Sequence, residues 1–127
     1  MEDKQLFAKD NLVAWCVVPF DAKRRGPKER AEMLQRLGFR LFAYDWRDEE
    51  LGTFDRELNE LTQRGIRMVA FWWRGGWPES EQAAAESPLM SAALDFFRRN
   101  ALRLEVWASY KGDELAGLPT EEQKYAA

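Results

Sequence analysis

Three segments of the sequence align with one another without gaps. They read G-F-R-L-F-A-Y-D from Gly38, G-I-R-M-V-A-F-W from Gly65 and N-A-L-R-L-E-V-W from Asn100, so their starts lie 27 and 35 residues apart. Each begins with a residue that commonly ends a helix and continues as an apolar run. Self-similarity at this spacing is typical of one supersecondary unit used several times. The repeat predicts a chain built of alternating helices and strands.

The first apolar run, N-L-V-A-W-C-V-V-P-F from Asn11, has the composition of a strand that is buried on both faces. Proline or serine-proline signals open two of the helices, and apolar residues at helical spacing follow them. A short extra helical turn is compatible with residues 79–86. We therefore expect strands near residues 11–20, 39–46, 66–73 and 102–109, and helices near 27–37, 53–64, 88–99 and 120–127.

Alternating strands and helices predict right-handed crossovers and a parallel sheet. An open doubly wound sheet and a (β/α)₈ barrel both fit this order. The glycine-rich phosphate-binding motifs that support a nucleotide-binding open sheet are missing after the first strand. A barrel normally takes about 250 residues, and this chain has 127. We expect one α/β domain with a parallel (βα)₃β order plus the start of a fourth helix, which is half of a (β/α)₈ TIM barrel.

The composition narrows the classes of function. The net charge is −3 and the basic residues are scattered among acids, which argues against a nucleic-acid surface. The sequence predicts neither a membrane-spanning run nor a secretory leader, so a cytoplasmic location is expected. The chain has no histidine, which excludes nucleophilic triads that use histidine and histidine-ligated metals within it. Its single cysteine, Cys16, lies in the first apolar run and is expected to be a buried small hydrophobe.

Several strings between Asn11 and Trp73 resemble the xylose isomerase-like barrel family, whose members are commonly labelled sugar phosphate isomerases or epimerases. The strings cover residues 11–27 (N-L-V-A-W-C-V-V-P-F-D-A-K-R-R-G-P), 43–49 (A-Y-D-W-R-D-E), 53–58 (T-F-D-R-E-L) and 64–73 (R-G-I-R-M-V-A-F-W-W). The resemblance implies a metal-dependent isomerase or epimerase that acts on a sugar or polyol. It also implies a divalent cation held by Glu, Asp and His residues of later strands, so no metal ligand is assigned to this chain.

Barrel enzymes carry their functional residues at the carboxyl ends of the strands and in the loops that follow. That rule selects twelve positions here: Phe20, Asp21, Lys23, Asp45, Trp46, Arg47, Trp72, Trp73, Arg74, Trp107, Ser109 and Tyr110. The six that we predict to bind substrate are Asp45, Trp46, Trp72, Trp73, Trp107 and Lys23.

Asp45 is the foremost of these residues because it lies between two aromatic residues at a strand end. A carboxylate there can bind a sugar hydroxyl, or exchange a proton if burial raises its pKa. The alternative interpretation is a salt bridge to Arg47 or Lys23 that holds a loop. Indole faces pack against the C–H faces of sugars, although each tryptophan can equally be part of the core. Lys23 and Arg74 suit a ligand phosphate or carboxylate, or plain solvation.

Two functions remain open at this point, beside a third interpretation in which the chain is a non-functional remnant that exposes apolar surface and aggregates. The first is the N-terminal half of a sugar isomerase or epimerase, which would be inactive without further strands. The second is a non-catalytic module, a half barrel that binds a small molecule or pairs with a second copy of itself. A homo-oligomer is compatible with both, because an isolated four-stranded parallel sheet leaves two edges open.

Overall fold

Four parallel strands form one sheet in the computed structural model, which describes residues 3–18, 21–74 and 78–109. The strands are β1 (Val13–Ala14), β2 (Leu41–Tyr44), β3 (Arg67–Trp73) and β4 (Glu105–Ala108), and their order in the sheet is β1-β2-β3-β4. Every neighbouring pair is parallel. The expected α/β class with an all-parallel four-stranded sheet is confirmed.

Within the described residues, five α-helices accompany these strands. They are α1 (Asp3–Leu6), α2 (Pro27–Leu37), α3 (Phe54–Gln63), α4 (Glu81–Glu86) and α5 (Pro88–Arg99), with short 3₁₀ turns at Lys9–Asn11 and Asp48–Glu50. The helix predicted near 120–127 lies outside the described residues.

Local sequence explains where the longer helices begin and end. Pro27 occupies the first turn of α2, and Gly38 ends that helix with φ of 84°, a left-handed conformation that glycine adopts without strain. Ser87 caps α5, its hydroxyl accepting a hydrogen bond of 3.2 Å from the Met90 backbone N–H, and Pro88 follows it.

The first strand is much shorter than the apolar run around it. We predicted a strand over 11–20, but only Val13 and Ala14 pair with β2. The reason is local: a 3₁₀ turn precedes the strand, and Cys16 has φ of 59°, which no strand geometry allows. Cys16 is also exposed rather than buried as its apolar neighbours suggested. The run is therefore a short edge strand followed by irregular chain.

The core lies between the sheet and the helices and is mainly aromatic. Phe54 of α3 contacts Tyr44, Trp46 and Phe71 with ring centroids 5.2–5.7 Å apart, and Phe96 of α5 extends the cluster. Most of these ring pairs are tilted or edge to face, which is the arrangement that aromatic quadrupoles favour. This packing fixes the helix-facing side of β2 and β3 and leaves the opposite side, the open face, to other residues.

A bulge in β3 decides which residues reach the open face. Phe42 pairs with Met68 but Ala43 pairs with Ala70, so Val69 is the extra residue. Because paired residues in a parallel sheet share a face, Ala43, Ala70 and Glu105 lie together on one side. The bulge puts Trp72 on the open face instead of in the core.

Candidate functional site

Three tryptophans meet on the open face at the carboxyl ends of the strands. Trp72 and Trp107 are paired in register on β3 and β4, so their side chains share a face. Trp15, directly after β1, packs on Trp72 with ring centroids 5.4 Å apart, and meets Trp107 edge to face at 5.8 Å. We call Trp15, Trp72 and Trp107 the tryptophan cluster.

The tryptophan cluster is partly open to solvent. Trp15 is 47% exposed, and Trp72 and Trp107 are half-buried. Beneath it on the same face are small, fully buried side chains, Ala43 and Ala70. Their size leaves room for indoles from neighbouring strands to lie across the sheet. The cluster thus offers flat apolar surface, and the Trp107 N–H donates to the Glu105 carboxylate at 2.7 Å.

Two of the four tryptophans predicted to bind substrate lie elsewhere. Trp46 and Trp73 are buried among the core residues on the helix side of the sheet. The Trp46 N–H donates to the Trp72 carbonyl oxygen at 2.8 Å. They alternate with Asp45 and Trp72 along the chain, and period-two alternation sends them to the opposite face. Neither indole therefore presents a face to a molecule bound on the open face.

Asp45 follows β2 and is 5% exposed. Its carboxylate accepts a hydrogen bond from the Arg47 guanidinium, the salt bridge that was the alternative interpretation of this residue. Arg47 also donates to the Trp46 carbonyl oxygen at 2.8 Å. The carboxylate is thereby held in one orientation at the carboxyl end of β2, with its charge partly neutralised.

Cys16 lies close to Asp45, which sequence reasoning did not anticipate. Burial of its thiol, followed by the Asp45 carboxylate, raises the pKa of Cys16, and the Arg47 charge opposes that rise. The residue is exposed overall although its thiol is partly desolvated. At neutral pH the thiol is protonated and can act as a weak hydrogen-bond donor toward the carboxylate.

The basic loop residues lie further out. Lys23 is exposed in the turn after β1, and Arg74 is 3.7 Å from the Asp48 carboxylate.

Asp21 is paired with Arg25. Burial would raise the pKa of Asp21, but hydrogen bonds from Arg25 and the Lys23 backbone outweigh it and hold that pKa below its ordinary value. Ser109 is exposed, and Phe20 and Tyr110 lie outside the described residues.

A buried ionic cluster lies behind the site and was also missed. Arg30 of α2 donates to both carboxylate oxygens of Glu57 on α3, at 3.0 and 2.5 Å, and to Glu50 at 2.5 Å. Arg30 is 1% and Glu57 0% exposed. In the sequence these residues look like charges on the solvated sides of helices. The sequence feature that could have identified them is their position, since Arg30 and Glu57 both lie in the first two turns of consecutive helices.

Trp15 was missed for a different reason. It lies inside the first apolar run, where a tryptophan is expected to be a core residue. Only its position could have identified it, because continuing the β1–β2 register by one residue places Trp15 level with Ala43, one of the small residues of the open face. Without knowledge of where β1 ends, the sequence does not distinguish a buried indole from one on the open face.

The described part of the chain contains no group of three or more His, Cys, Asp or Glu side chains able to hold a metal ion. No helix among residues 3–18, 21–74 and 78–109 has the length and apolar character to cross a membrane.

Comparison with known proteins found no match: no protein-family model, no curated protein and no solved structure is significantly similar to the chain.

Proposed function

We propose that the chain forms one half of a (β/α)₈ barrel and binds a sugar or polyol on the tryptophan cluster, with Asp45 beside it. The observation that carries the proposal is the convergence of Trp15, Trp72 and Trp107 on the open face at the carboxyl ends of the strands. Ligands of parallel α/β sheets bind at that end. Indole faces suit the C–H faces of a sugar, and a carboxylate suits its hydroxyls.

Two further features support a barrel. The strand order is sequential, whereas open doubly wound sheets reverse their order at a switch point. Trp15 and Trp107 come from opposite edges of the sheet, three strand spacings or about 14 Å apart along it, yet their rings touch. A sheet that is concave on this face brings such residues together.

The reaction proposed for the complete protein is sugar isomerisation or epimerisation, by the resemblance of the strings around Asp45. The implied divalent cation does not fit the described residues, because they contain no suitable group of ligands and Asp45 is paired with Arg47. No chemical step is therefore assigned to a metal held by this chain. Its proposed part is to bind and orient a ligand.

The binding proposal can be tested by titrating the protein with neutral sugars and polyols, using calorimetry together with tryptophan fluorescence. We expect saturable binding that Trp72→Ala and Trp107→Ala weaken. Phe7→Ala is the matched control, since Phe7 is a largely exposed aromatic residue outside the tryptophan cluster. Equal affinities in the control and the two tryptophan variants would contradict the proposal, as would absence of any binding across the ligand series.

Self-association is the second candidate function. Apolar residues of the two edge strands and their flanks are exposed: Leu12, Val13, Trp15 and Val106. Two copies related by a twofold axis would place β4 of each beside β1 of the other and close an eight-stranded barrel. Sedimentation velocity over a concentration series distinguishes the candidates, because a concentration-independent monomer excludes this one.

A further inference from the structure

We propose that Arg30, buried between α2 and α3, is a positioning residue that sets the Asp45 carboxylate beside the tryptophan cluster, acting through Glu50 and Arg47. Its consequence for polyol affinity rests on the proposed function, namely that the tryptophan cluster binds a polyol. The positioning itself is a property of the unliganded protein and is measurable without that site being correct.

The first step of the argument is the fixed orientation of Arg30. Its guanidinium donates to both oxygens of Glu57, to Glu50, and to the Arg25 carbonyl oxygen at 2.6 Å. A planar guanidinium held bidentately by one carboxylate has little freedom to rotate. Arg30 therefore presents Nη2 to Glu50 from a position fixed by two helices.

The second step is the double contact of Glu50. One of its carboxylate oxygens accepts from Arg30, and the other accepts from the Arg47 backbone N–H at 3.0 Å. Glu57 alone already neutralises the Arg30 charge, so a second buried acid adds a desolvation cost that this pair does not require. The contact with Arg47 explains why a second acid is present, since Glu50 links the loop after β2 to the buried guanidinium of Arg30.

The third step joins that loop to the site. Arg47, whose backbone Glu50 holds, donates through its side chain to Asp45 and to the Trp46 carbonyl oxygen. The path from Arg30 to Asp45 is thus a continuous series of hydrogen bonds over four side chains. The same 3₁₀ turn carries Asp48, which faces Arg74 after β3.

Cys16 provides a readout of this path that a purely structural role would not move. It is the only cysteine of the chain, and the charged groups that act on its thiol are Asp45, which raises its pKa after burial, and Arg47, which lowers it. Releasing Arg47 removes the lowering charge and leaves Asp45 uncompensated. The alkylation rate of Cys16 as a function of pH reports that change directly.

The decisive variant is Glu50→Gln, which leaves the Arg30–Glu57 pair intact. We expect it to raise the pKa of Cys16 and to reduce the alkylation rate at mildly alkaline pH by about twofold, through the smaller thiolate fraction. Arg30→Lys is expected to act in the same direction, because an ammonium cannot hold both carboxylates as the guanidinium does. Asp45→Asn is expected to lower the pKa of Cys16, which shows that the assay detects the charge at position 45.

Asp55→Asn is the matched control, since it breaks the pair between Asp55 of α3 and Arg99 of α5 without touching the path. Circular dichroism verifies that each variant is folded. A wild-type Cys16 titration in folded Glu50→Gln, with a clear shift in Asp45→Asn, would overturn the proposal. If the titration shifts as expected but polyol binding is absent in every variant, positioning stands and the proposed binding function fails.

Discussion

Trp15 and Trp107 lie at opposite edges of the sheet, and their rings meet edge to face at 5.8 Å. The contact crosses over β2 and β3, whose residues beneath it on the open face are the small Ala43 and Ala70. It joins residues that are far apart in sequence and ties the first strand to the last. The tryptophan cluster therefore depends on the assembled sheet.

Trp15→Leu should destabilise the protein although the side chain is 47% exposed. It removes two aromatic contacts, which are worth about 0.5–1.5 kcal/mol each beyond the area that they bury. We expect a lower midpoint in urea denaturation, with a net loss of about 1 kcal/mol. Phe7→Leu, at a more exposed aromatic residue, is the control. Equal losses in the two variants would show that the cluster contributes nothing to stability.

Arg30→Met should destabilise the fold strongly, because it leaves Glu57 buried without a partner. Removing one member of a buried ion pair costs about 3–5 kcal/mol. The double variant Arg30→Met/Glu57→Leu should recover part of that loss, because no buried charge is then left alone at position 57. Thermal and chemical denaturation of the three proteins measure the difference. A double variant less stable than Arg30→Met would contradict this account.

The repeat in the sequence predicts much of the sheet. Aligned as in the sequence, Ala43 matches Ala70, Tyr44 matches Phe71, and Trp72 matches Trp107, and these are also the pairs observed in the register. Because each repeat is the same unit, residues that correspond in sequence become neighbours in a parallel sheet. The alignment fails one step earlier: it matches Phe42 with Val69, but Phe42 pairs with Met68, because the bulge at Val69 leaves no mark in the composition.

The candidate site was less predictable than the sheet. Position at a strand end selected Asp45, Trp72 and Trp107, which lie on or beside the open face, but it also selected Trp46 and Trp73, which are in the core. Which member of a tryptophan pair faces outward depends on strand register. The ionic cluster of Arg30, Glu50 and Glu57 depends on how two helices pack, which no local pattern encodes.

The Asp55–Arg99 pair should make stability depend on acidity. Hydrogen bonds from Arg99, at 2.5 Å, and Asn100, at 2.8 Å, hold the pKa of Asp55 below its ordinary value. The stabilisation is therefore fully present above the unfolded-state pKa of about 3.9 and is lost as pH falls through the lower folded-state pKa. Solvent screening keeps the effect small, since both side chains are about half exposed.

Melting temperatures measured from neutral to strongly acidic pH test this dependence. In Asp55→Asn, the melting temperature should fall less as the pH is lowered, because the contribution of this pair is gone. Arg99→Gln should have the same effect, because Arg99 is the main cause of the lowered pKa of Asp55. A wild-type profile in both variants would mean that the pair does not contribute.

The backbone at Cys16 should respond to the size of its side chain. Its φ of 59° lies in the left-handed region, which costs residues with a Cβ roughly 1–2 kcal/mol. Cys16→Gly removes that strain, offset by about 0.5–1 kcal/mol of lost backbone entropy, so a small net stabilisation is expected. Cys16→Val should destabilise, because a β-branched side chain fits this conformation worst. Cys16→Ala keeps the Cβ and separates loss of the thiol from the backbone effect. Urea denaturation should rank glycine above alanine and alanine above valine, and a glycine variant less stable than alanine would show that the left-handed geometry is not adopted in solution.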